Sequence, residues 1–320
     1  MSRVSPAASL RHCTREVLRE RGLAPRKRRG QNFLVSRGIR DRIVAEAELG
    51  PGCTVVEVGS GTGLLTEALL DTGATVLAVE VDRGLVRLLE EKLGGRPNLR
   101  LFLADALRFD FGAALLPYRG SGPIRVVANI PYYITTPLLF RLLKVAGLFD
   151  RICLTVQREV ADRLTARPGT KAYGALTLAC QYLTTARSVL RIPAAAFYPV
   201  PAVESALVRL DCRPAPAVAV TSEARLFGVV RAAFGQRRKT LRNALRHAGW
   251  PLPAIETALA AAGVMGERRG ETLALEEFAR LSEALPEQPR RGDSDGDDEI
   301  RRAVEADRSP ASAVAPREIP

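Results

Sequence analysis

The chain has 320 residues, 47% of them hydrophobic and 26% charged, which is enough for a real core in one large or two medium domains. Its formal charge is +12, and because the residues from Glu287 onward hold nine acids against six bases, residues 1–286 carry +15, a surplus that points to a polyanion such as nucleic acid. The odd set Cys13, Cys53, Cys153, Cys180 and Cys212 has no CxxC pair, His12 and His247 complete no ligand cluster, and no window has the apolar length of a membrane span, which argues against a zinc site, a disulfide framework and a membrane protein.

In chain order, Ser5-Pro6 opens a first helix with Ser as cap and Pro at the first turn, and Gly22 can end it. The segment lacks the apolar core of a secretory signal. It is Arg-rich, so an organellar transit segment is an alternative, although Glu16 and Glu20 interrupt the lack of acids such segments show. A reducing, cytoplasmic setting is the expectation. The run Arg26-Lys27-Arg28-Arg29 reads as a phosphate-contacting arm, with a solvated charge run as the alternative. Ser36 caps a helix carrying Ile39, Ile43, Val44 and Ala47, closed by Gly50.

A strand–helix alternation follows. Strands are predicted at Thr54–Val58, Thr75–Val79, Leu99–Leu103, Ile124–Ala128 and Arg151–Gln157, with amphipathic helices after the first, second and fourth. This predicts an α/β fold: an open parallel sheet covered on both faces. Ala186–Ile192 and Glu204–Leu210 read as two further strands, close enough to pair antiparallel. The link Arg213-Pro214-Ala215-Pro216-Ala217 marks a domain boundary. Beyond it the pattern is helical only, at Ser222–Phe234, Arg237–Ala248, Pro253–Ala262 and Leu275–Leu285, which predicts a small C-terminal all-α domain. The expected organisation is a helix and basic arm over 1–30, a sheet domain over 31–212, a helical RNA-binding domain over 213–286 and a disordered tail over 287–320.

The chemistry gathers at strand ends. Thr54–Val58 runs into Gly59-Ser60-Gly61-Thr62-Gly63, where glycines let a ligand approach the backbone. Glu80 ends the second strand about twenty residues on, where a carboxylate can accept from both ribose hydroxyls. Asp105 ends the third and can accept an adenine amino hydrogen. Asn129 ends the fourth. A tight turn, a surface acid and a helix cap (with Asp82 as another cap) are the ordinary readings of each residue alone. Their placement on successive strand ends favours a nucleoside-binding crevice. Asn129-Ile130-Pro131-Tyr132 adds an amide, a carbonyl on a stiff turn and a flat ring, which suits a flipped-out adenine held by its amino group. An ordinary Asn-x-Pro turn is the alternative.

The order Gln31-Asn32-Phe33-Leu34, then Val-Glu-Val-Gly-Ser-Gly-Thr-Gly, then Asn-Ile-Pro-Tyr resembles the ribosomal RNA adenine dimethyltransferases. Gln157-Arg158-Glu159-Val160-Ala161, Lys171-Ala172-Tyr173-Gly174, Phe197-Tyr198-Pro199-Val200-Pro201 and Phe234-Gly235-Gln236-Arg237-Arg238-Lys239-Thr240 match the same family, the last two favouring its small-subunit branch. The resemblance covers roughly residues 24–285. It implies a Rossmann-like S-adenosylmethionine-dependent methyltransferase sheet. It implies that Asn32 and Leu34 border the methionine end of the cofactor, Gly59 and Gly61 let the backbone approach it, Glu80 holds the ribose and Asp105 the adenine. Asn129 lies where cofactor and target meet, and Phe197 covers the target adenine opposite Tyr132, a core aromatic being the alternative for Phe197. Tyr133 stands where Asn is often found, and Ala202 where Lys is frequent.

The expected reaction is N6-dimethylation of two adjacent adenosines in the 3′-terminal hairpin of small-subunit rRNA, on an immature 30S particle, by a monomer. Arg26, Lys27, Arg28, Arg29, Arg237, Arg238, Lys239 and Arg242 are the expected RNA contacts, and Lys239, Arg242 and Arg246 share a spacing of 0, 3 and 7 on one predicted helix, with a solvated helix face as the alternative. A resistance-type dimethylase of large-subunit rRNA, a non-catalytic ribosome-assembly factor and a DNA adenine methyltransferase are the competing readings.

Overall fold

A computed structural model describes residues 6–23, 31–287 and 318–319. Contacts divide the chain into two units: residues 1–161, 187–212 and 303–320 form the first, and 162–186 with 213–302 the second.

The first unit opens with α1 (Pro6–Glu20), β1 (Phe33–Leu34) and α2 (Arg37–Ala47). The alternating core follows as β2 (Thr54–Val58), α3 (Leu64–Leu70), β3 (Thr75–Glu80), α4 (Arg83–Leu93), β4 (Leu99–Leu103), α5 (Phe111–Leu115), β5 (Ile124–Asn129), α6 (Thr135–Lys144) and β6 (Arg151–Gln157). After α7 (Arg158–Leu164) and α8 (Ala175–Leu183) come β7 (Thr184–Ile192), β8 (Phe197–Tyr198) and β9 (Ser205–Cys212). The helical segments α9 (Glu223–Gly235), α10 (Leu241–His247), α11 (Leu252–Ala262) and α12 (Leu275–Ala284) follow, and the short β10 (Glu318–Ile319) is the last described element.

The main sheet has the order β10-β4-β3-β2-β5-β6-β9-β7. β4, β3, β2, β5 and β6 are parallel, while β9 runs antiparallel to β6. All five residues of β2 are buried, as a strand covered on both faces requires. The chain winds from β2 outward to β4, then returns to β2's other side with β5. That reversal leaves a crevice at the carboxyl ends of β2 and β5, the switch point where open α/β sheets bind ligands. The register Val58↔Ala128 sets Gly59 beside Asn129 there.

Local chemistry explains the helix starts. Ser36 Oγ accepts from the Ile39 amide at 3.4 Å and caps α2 as expected. α2 ends earlier than predicted, with Glu48 in the left-handed region (φ 50°), so Glu48 and not Gly50 closes it. Asp82 caps α4 through Gly84 N at 2.9 Å. Apolar side chains of α2 and α3 pack on the sheet in one core that includes Ile43, Leu69, Val55, Val76 and Leu207.

In the second unit, α9–α12 bury Leu226, Val230, Leu241, Leu245, Ile255, Leu259, Phe278 and Leu281 together. Tyr173, Leu178 and Tyr182 join the same core, and the Tyr173 hydroxyl donates to Leu273 O at 2.8 Å. Residues 162–186 therefore group with the helices, where the sequence reading placed them in the sheet domain. Of the expected tail, Glu318–Ile319 pairs antiparallel with Leu101–Phe102 of β4, a strand where disorder was expected; residues 288–317 and 320 lie outside the described residues. Ser5 and the basic run Arg26–Arg29 also lie outside them.

Candidate active site

Strand ends and loops of the first unit line a cleft of about 310 Å³. Every expected cofactor residue lines it: Asn32, Leu34, Gly59, Gly61, Glu80, Asp105 and Asn129, together with Ile130, Pro131, Tyr132 and Phe197.

The glycine turn forms one wall. Gly59 (φ 78°) and Gly61 (φ 57°) hold backbone conformations that side-chain-bearing residues rarely adopt. A Cβ on Gly59 would lie 3.4 Å from Asn129 O, and one on Gly61 3.0 Å from the Phe33 ring. The bare backbone is thus required by conformation at both glycines and, at Gly61, also by the close approach of the Phe33 ring of β1.

Glu80 is 5% exposed and tightly held. Its Oε2 accepts from Gly61 N at 3.0 Å, and its Oε1 from Val81 N at 2.9 Å and Asp82 N at 3.0 Å. A carboxylate offers about four acceptor positions, so these bonds leave about one, on Oε2. Burial pushes the Glu80 carboxyl above its ordinary value, against the pull of the three backbone amides.

Asp105 is exposed, two residues past Leu103, which pairs with Glu80 on the neighbouring strand. Its Oδ1 accepts from Leu107 N at 2.9 Å, closing a turn and capping no helix; α5 is capped by Asp110. Asp105 both shapes the loop and lines the cleft.

Asn129 ends β5, and its Nδ2 donates to Asn32 O at 3.1 Å. The next residues turn sharply: Ile130 is buried, and Tyr132–Ile134 forms one 3-10 turn after Pro131. The Tyr132 hydroxyl lies 2.8 Å from Ser205 Oγ. Tyr133 is 59% exposed at the cleft mouth.

Phe197 is 1% exposed and belongs to the main core while touching the cleft. Its strand β8 pairs antiparallel with β1, Leu34 opposite Phe197 and Phe33 opposite Tyr198. Two sequence motifs far apart in the chain are therefore one two-stranded ribbon along the cleft. Sequence reasoning missed this pairing, and it missed Ser205 and the ring of Phe33 under the glycine turn. The signal for Ser205 was a polar residue directly before the apolar run Ala206-Leu207-Val208.

The second unit carries four of the residues expected to contact RNA, Arg237, Arg238, Lys239 and Arg242. Arg237, Arg238 and Lys239 are exposed in the turn between α9 and α10. Arg237 donates to Lys171 O at 3.0 Å and faces Glu271 at 3.7 Å. Thr240 caps α10, so Lys239 precedes the helix and does not share the face predicted with Arg242 and Arg246. Arg242 is clamped by Glu256 at 2.5 Å and Glu267 at 2.7 Å, and these two carboxylates hold its guanidinium above its already high ordinary value. A guanidinium spent on two carboxylates has little left for phosphate.

The cleft fits a nucleoside-bearing cofactor: carboxylates at two strand ends, bare backbone at the glycine turn and an oriented amide opposite. The family described as ribosomal RNA adenine dimethylase matches residues 22–286. A ribosomal RNA small subunit methyltransferase A from Moorella thermoacetica is 50% identical over 277 residues, 85% of this chain and 96% of the relative. One from Pelotomaculum thermopropionicum is 47% identical over 280 residues, 85% of this chain and 95% of the relative. Among solved structures, the 23S rRNA methyltransferase ErmE superposes with a TM-score of 0.63 at 31% identity, over 79% of this chain and 99% of its own. A dimethyladenosine transferase from Plasmodium falciparum gives a TM-score of 0.66 at 26% identity, over 78% and 95%.

Proposed function

The chain belongs to the ribosomal RNA adenine dimethylase family, and from that premise we propose that it dimethylates N6 of two adjacent adenosines in the 3′-terminal hairpin of small-subunit rRNA, as a cytoplasmic monomer acting on an immature 30S particle. It is an S-adenosylmethionine-dependent rRNA adenine dimethyltransferase, and its relatives at 42–50% identity are named ribosomal RNA small subunit methyltransferase A. The observation that carries the site assignment is the oriented amide of Asn129 at the switch point.

When bound, S-adenosylmethionine supplies a sulfonium methyl and its leaving group. Asn32 and Leu34 would border its methionine end, Glu80 would accept from its ribose and Asp105 from its adenine. The target amine is a poor nucleophile because its lone pair is delocalised into the ring. Asn129 Oδ1 and the Ile130 carbonyl accept its two hydrogens and draw the nitrogen toward a tetrahedral form. Pro131 stiffens the turn that presents that carbonyl. Tyr132 supplies the stacking face, and Phe197 backs the pocket from the core. The protein contributes alignment, worth several kcal/mol in favourable cases (about 7–11 at the limit). No general base is required, since the methylated amine sheds its proton as the ring reconjugates.

RNA is held by the Arg26–Arg29 arm and by Arg237, Arg238 and Lys239. The deciding experiment incubates immature small subunits with labelled S-adenosylmethionine and maps the modified adenines. Label on a pair of adjacent adenosines near the 3′ end of the small-subunit rRNA is expected. Label on large-subunit rRNA alone, or none, overturns the proposal.

A further inference from the structure

Ser205 is 1% exposed at the first position of β9, opposite Gln157 of β6. Its hydroxyl is 2.8 Å from the phenol oxygen of Tyr132. The two residues differ in how firmly their backbones are held. Ser205 starts a strand whose next residues, Ala206, Leu207 and Val208, are buried in the sheet. Its neighbour Glu204 accepts from Arg158 N at 3.0 Å, and its carboxylate is paired with Arg158 and Arg191 at 3.3 and 3.0 Å. Tyr132, by contrast, sits on a single 3-10 turn with Tyr133 exposed beside it. A ring on such a turn keeps freedom about its two side-chain torsions unless its far end is fastened. Among the described residues, the Tyr132 side chain has its hydrogen bond with this buried serine alone. Burial holds the Tyr132 phenol above its ordinary value, so the hydroxyl keeps its proton and either oxygen can donate.

We propose that Ser205 is a positioning residue for methyl transfer: its hydroxyl fixes the Tyr132 ring at the angle at which that ring receives the target adenine. The inference rests on the reading of Tyr132 as the stacking face. A base stacked on a fixed ring presents its amine to Asn129 in one orientation, whereas a swinging ring spreads that orientation and lowers the fraction of productive encounters. Ser205 touches neither substrate nor cofactor in this scheme; it acts only through Tyr132.

The test measures kcat/KM for small-subunit RNA, the Kd for S-adenosylmethionine and the melting temperature for Ser205→Ala, Ser205→Thr, Tyr132→Phe, Tyr132→Ala and the double variant Ser205→Ala/Tyr132→Phe. Ser205→Ala is expected to lower kcat/KM for RNA about tenfold with cofactor Kd unchanged, as a misplacement of the reacting group would. Ser205→Thr, which keeps the hydroxyl, is expected to recover most of the loss. Tyr132→Phe is expected to match Ser205→Ala, and the double variant to be no worse than either, because both remove one hydrogen bond. Full activity of Ser205→Ala beside a defective Tyr132→Ala overturns the inference and leaves the role of Tyr132 standing. So does a Ser205→Ala loss that persists at full size in the Tyr132→Phe background. Full activity of Tyr132→Ala removes the reading of Tyr132 itself, and the inference with it.

Discussion

The side-chain nitrogen of Asn129 donates to the main-chain carbonyl of Asn32 across 3.1 Å, so a residue at the end of β5 is oriented by one that lies 97 positions earlier. A carbonyl only accepts, which fixes the amide: Nδ2 faces Asn32 and Oδ1 faces away from it. The target amine needs an acceptor, and Oδ1 is one. The first prediction follows from this division of labour. Asn129→Ala should lower single-turnover methyl transfer on the order of 10²–10³-fold, the size of losing one preorganised hydrogen-bonding group, with RNA affinity largely unchanged. Asn129→Asp should be nearly as poor. It keeps an acceptor but sets a carboxylate against the Asn32 carbonyl. If Asn129→Asp turned over at a near-normal rate, the Asn32 contact would not be orienting the amide.

Glu80 and Gly61 should behave as one unit toward the cofactor. Three backbone N–H groups converge on the Glu80 carboxylate, so Glu80→Gln turns one acceptor oxygen into a donor that opposes at least one of them. Lost hydrogen bonds to a charged group are worth about 1.5–3 kcal/mol each, which predicts a tenfold or greater fall in S-adenosylmethionine affinity by calorimetry. Gly61→Ala should weaken binding similarly. Its φ of 57° costs an L-residue about 1–2 kcal/mol, and the new Cβ presses on the Phe33 ring at 3.0 Å. Unchanged affinity in both variants would place the ribose elsewhere.

The sheet was legible because its strands are apolar runs with clear ends. β2, β4 and β6 fall at the predicted residues, and β3 and β5 each extend by one to take in Glu80 and Asn129. Those two residues could be placed at strand ends from sequence because polar groups interrupt buried runs there. The β1–β8 ribbon was not legible, since two-residue strands carry no periodicity and their partner lies more than 160 positions away. The grouping of residues 162–186 with the helices was hidden for a different reason. Tyr173, Leu178 and Tyr182 look equally apolar whichever core they join. Around the turn between α9 and α10, sequence alone could count the positive charges but not show that Glu256 and Glu267 already clamp Arg242.

That clamp separates Arg242 from its neighbours in a measurable way. Arg238→Ala and Lys239→Ala should each weaken rRNA binding and lower the slope of log affinity against log salt by up to about one, the signature of a lost phosphate contact. Arg242→Ala should leave the slope nearly unchanged and lower the melting temperature instead, because it frees two carboxylates from their shared partner. Filter binding between low and moderate salt, with thermal melts in parallel, distinguishes the two patterns. Equal slope losses for all three would show that Arg242 leaves its carboxylates to meet RNA.

Glu57 should make stability depend on pH. It is 1% exposed in β2, accepts from Thr66 Oγ1 at 2.7 Å through Oε2, and among the described residues has no hydrogen-bond partner on Oε1. The Ser60 hydroxyl lies near enough to favour the ionised form but makes no hydrogen bond of proper geometry with it. Burial pushes the carboxyl up to about 7, Thr66 and Ser60 oppose that rise, and the neighbouring Glu80 charge adds to it. The ordinary value of 4.5 applies once the chain unfolds. Between 4.5 and about 7 the native Glu57 keeps its proton while the unfolded one has lost it, so the unfolded state binds fewer protons and stability falls as pH rises through that window. Above the window both forms are ionised and the contribution is constant, at a cost of about 3 kcal/mol. Glu57→Gln cannot ionise, and its carbonyl can still accept from Thr66. Its stability relative to the parent chain should therefore improve steadily from pH 5 to pH 7 and then level off, as read from urea unfolding at intervals of half a pH unit. Parallel curves for the two proteins across that range would mean that Glu57 ionises at its ordinary value despite its burial.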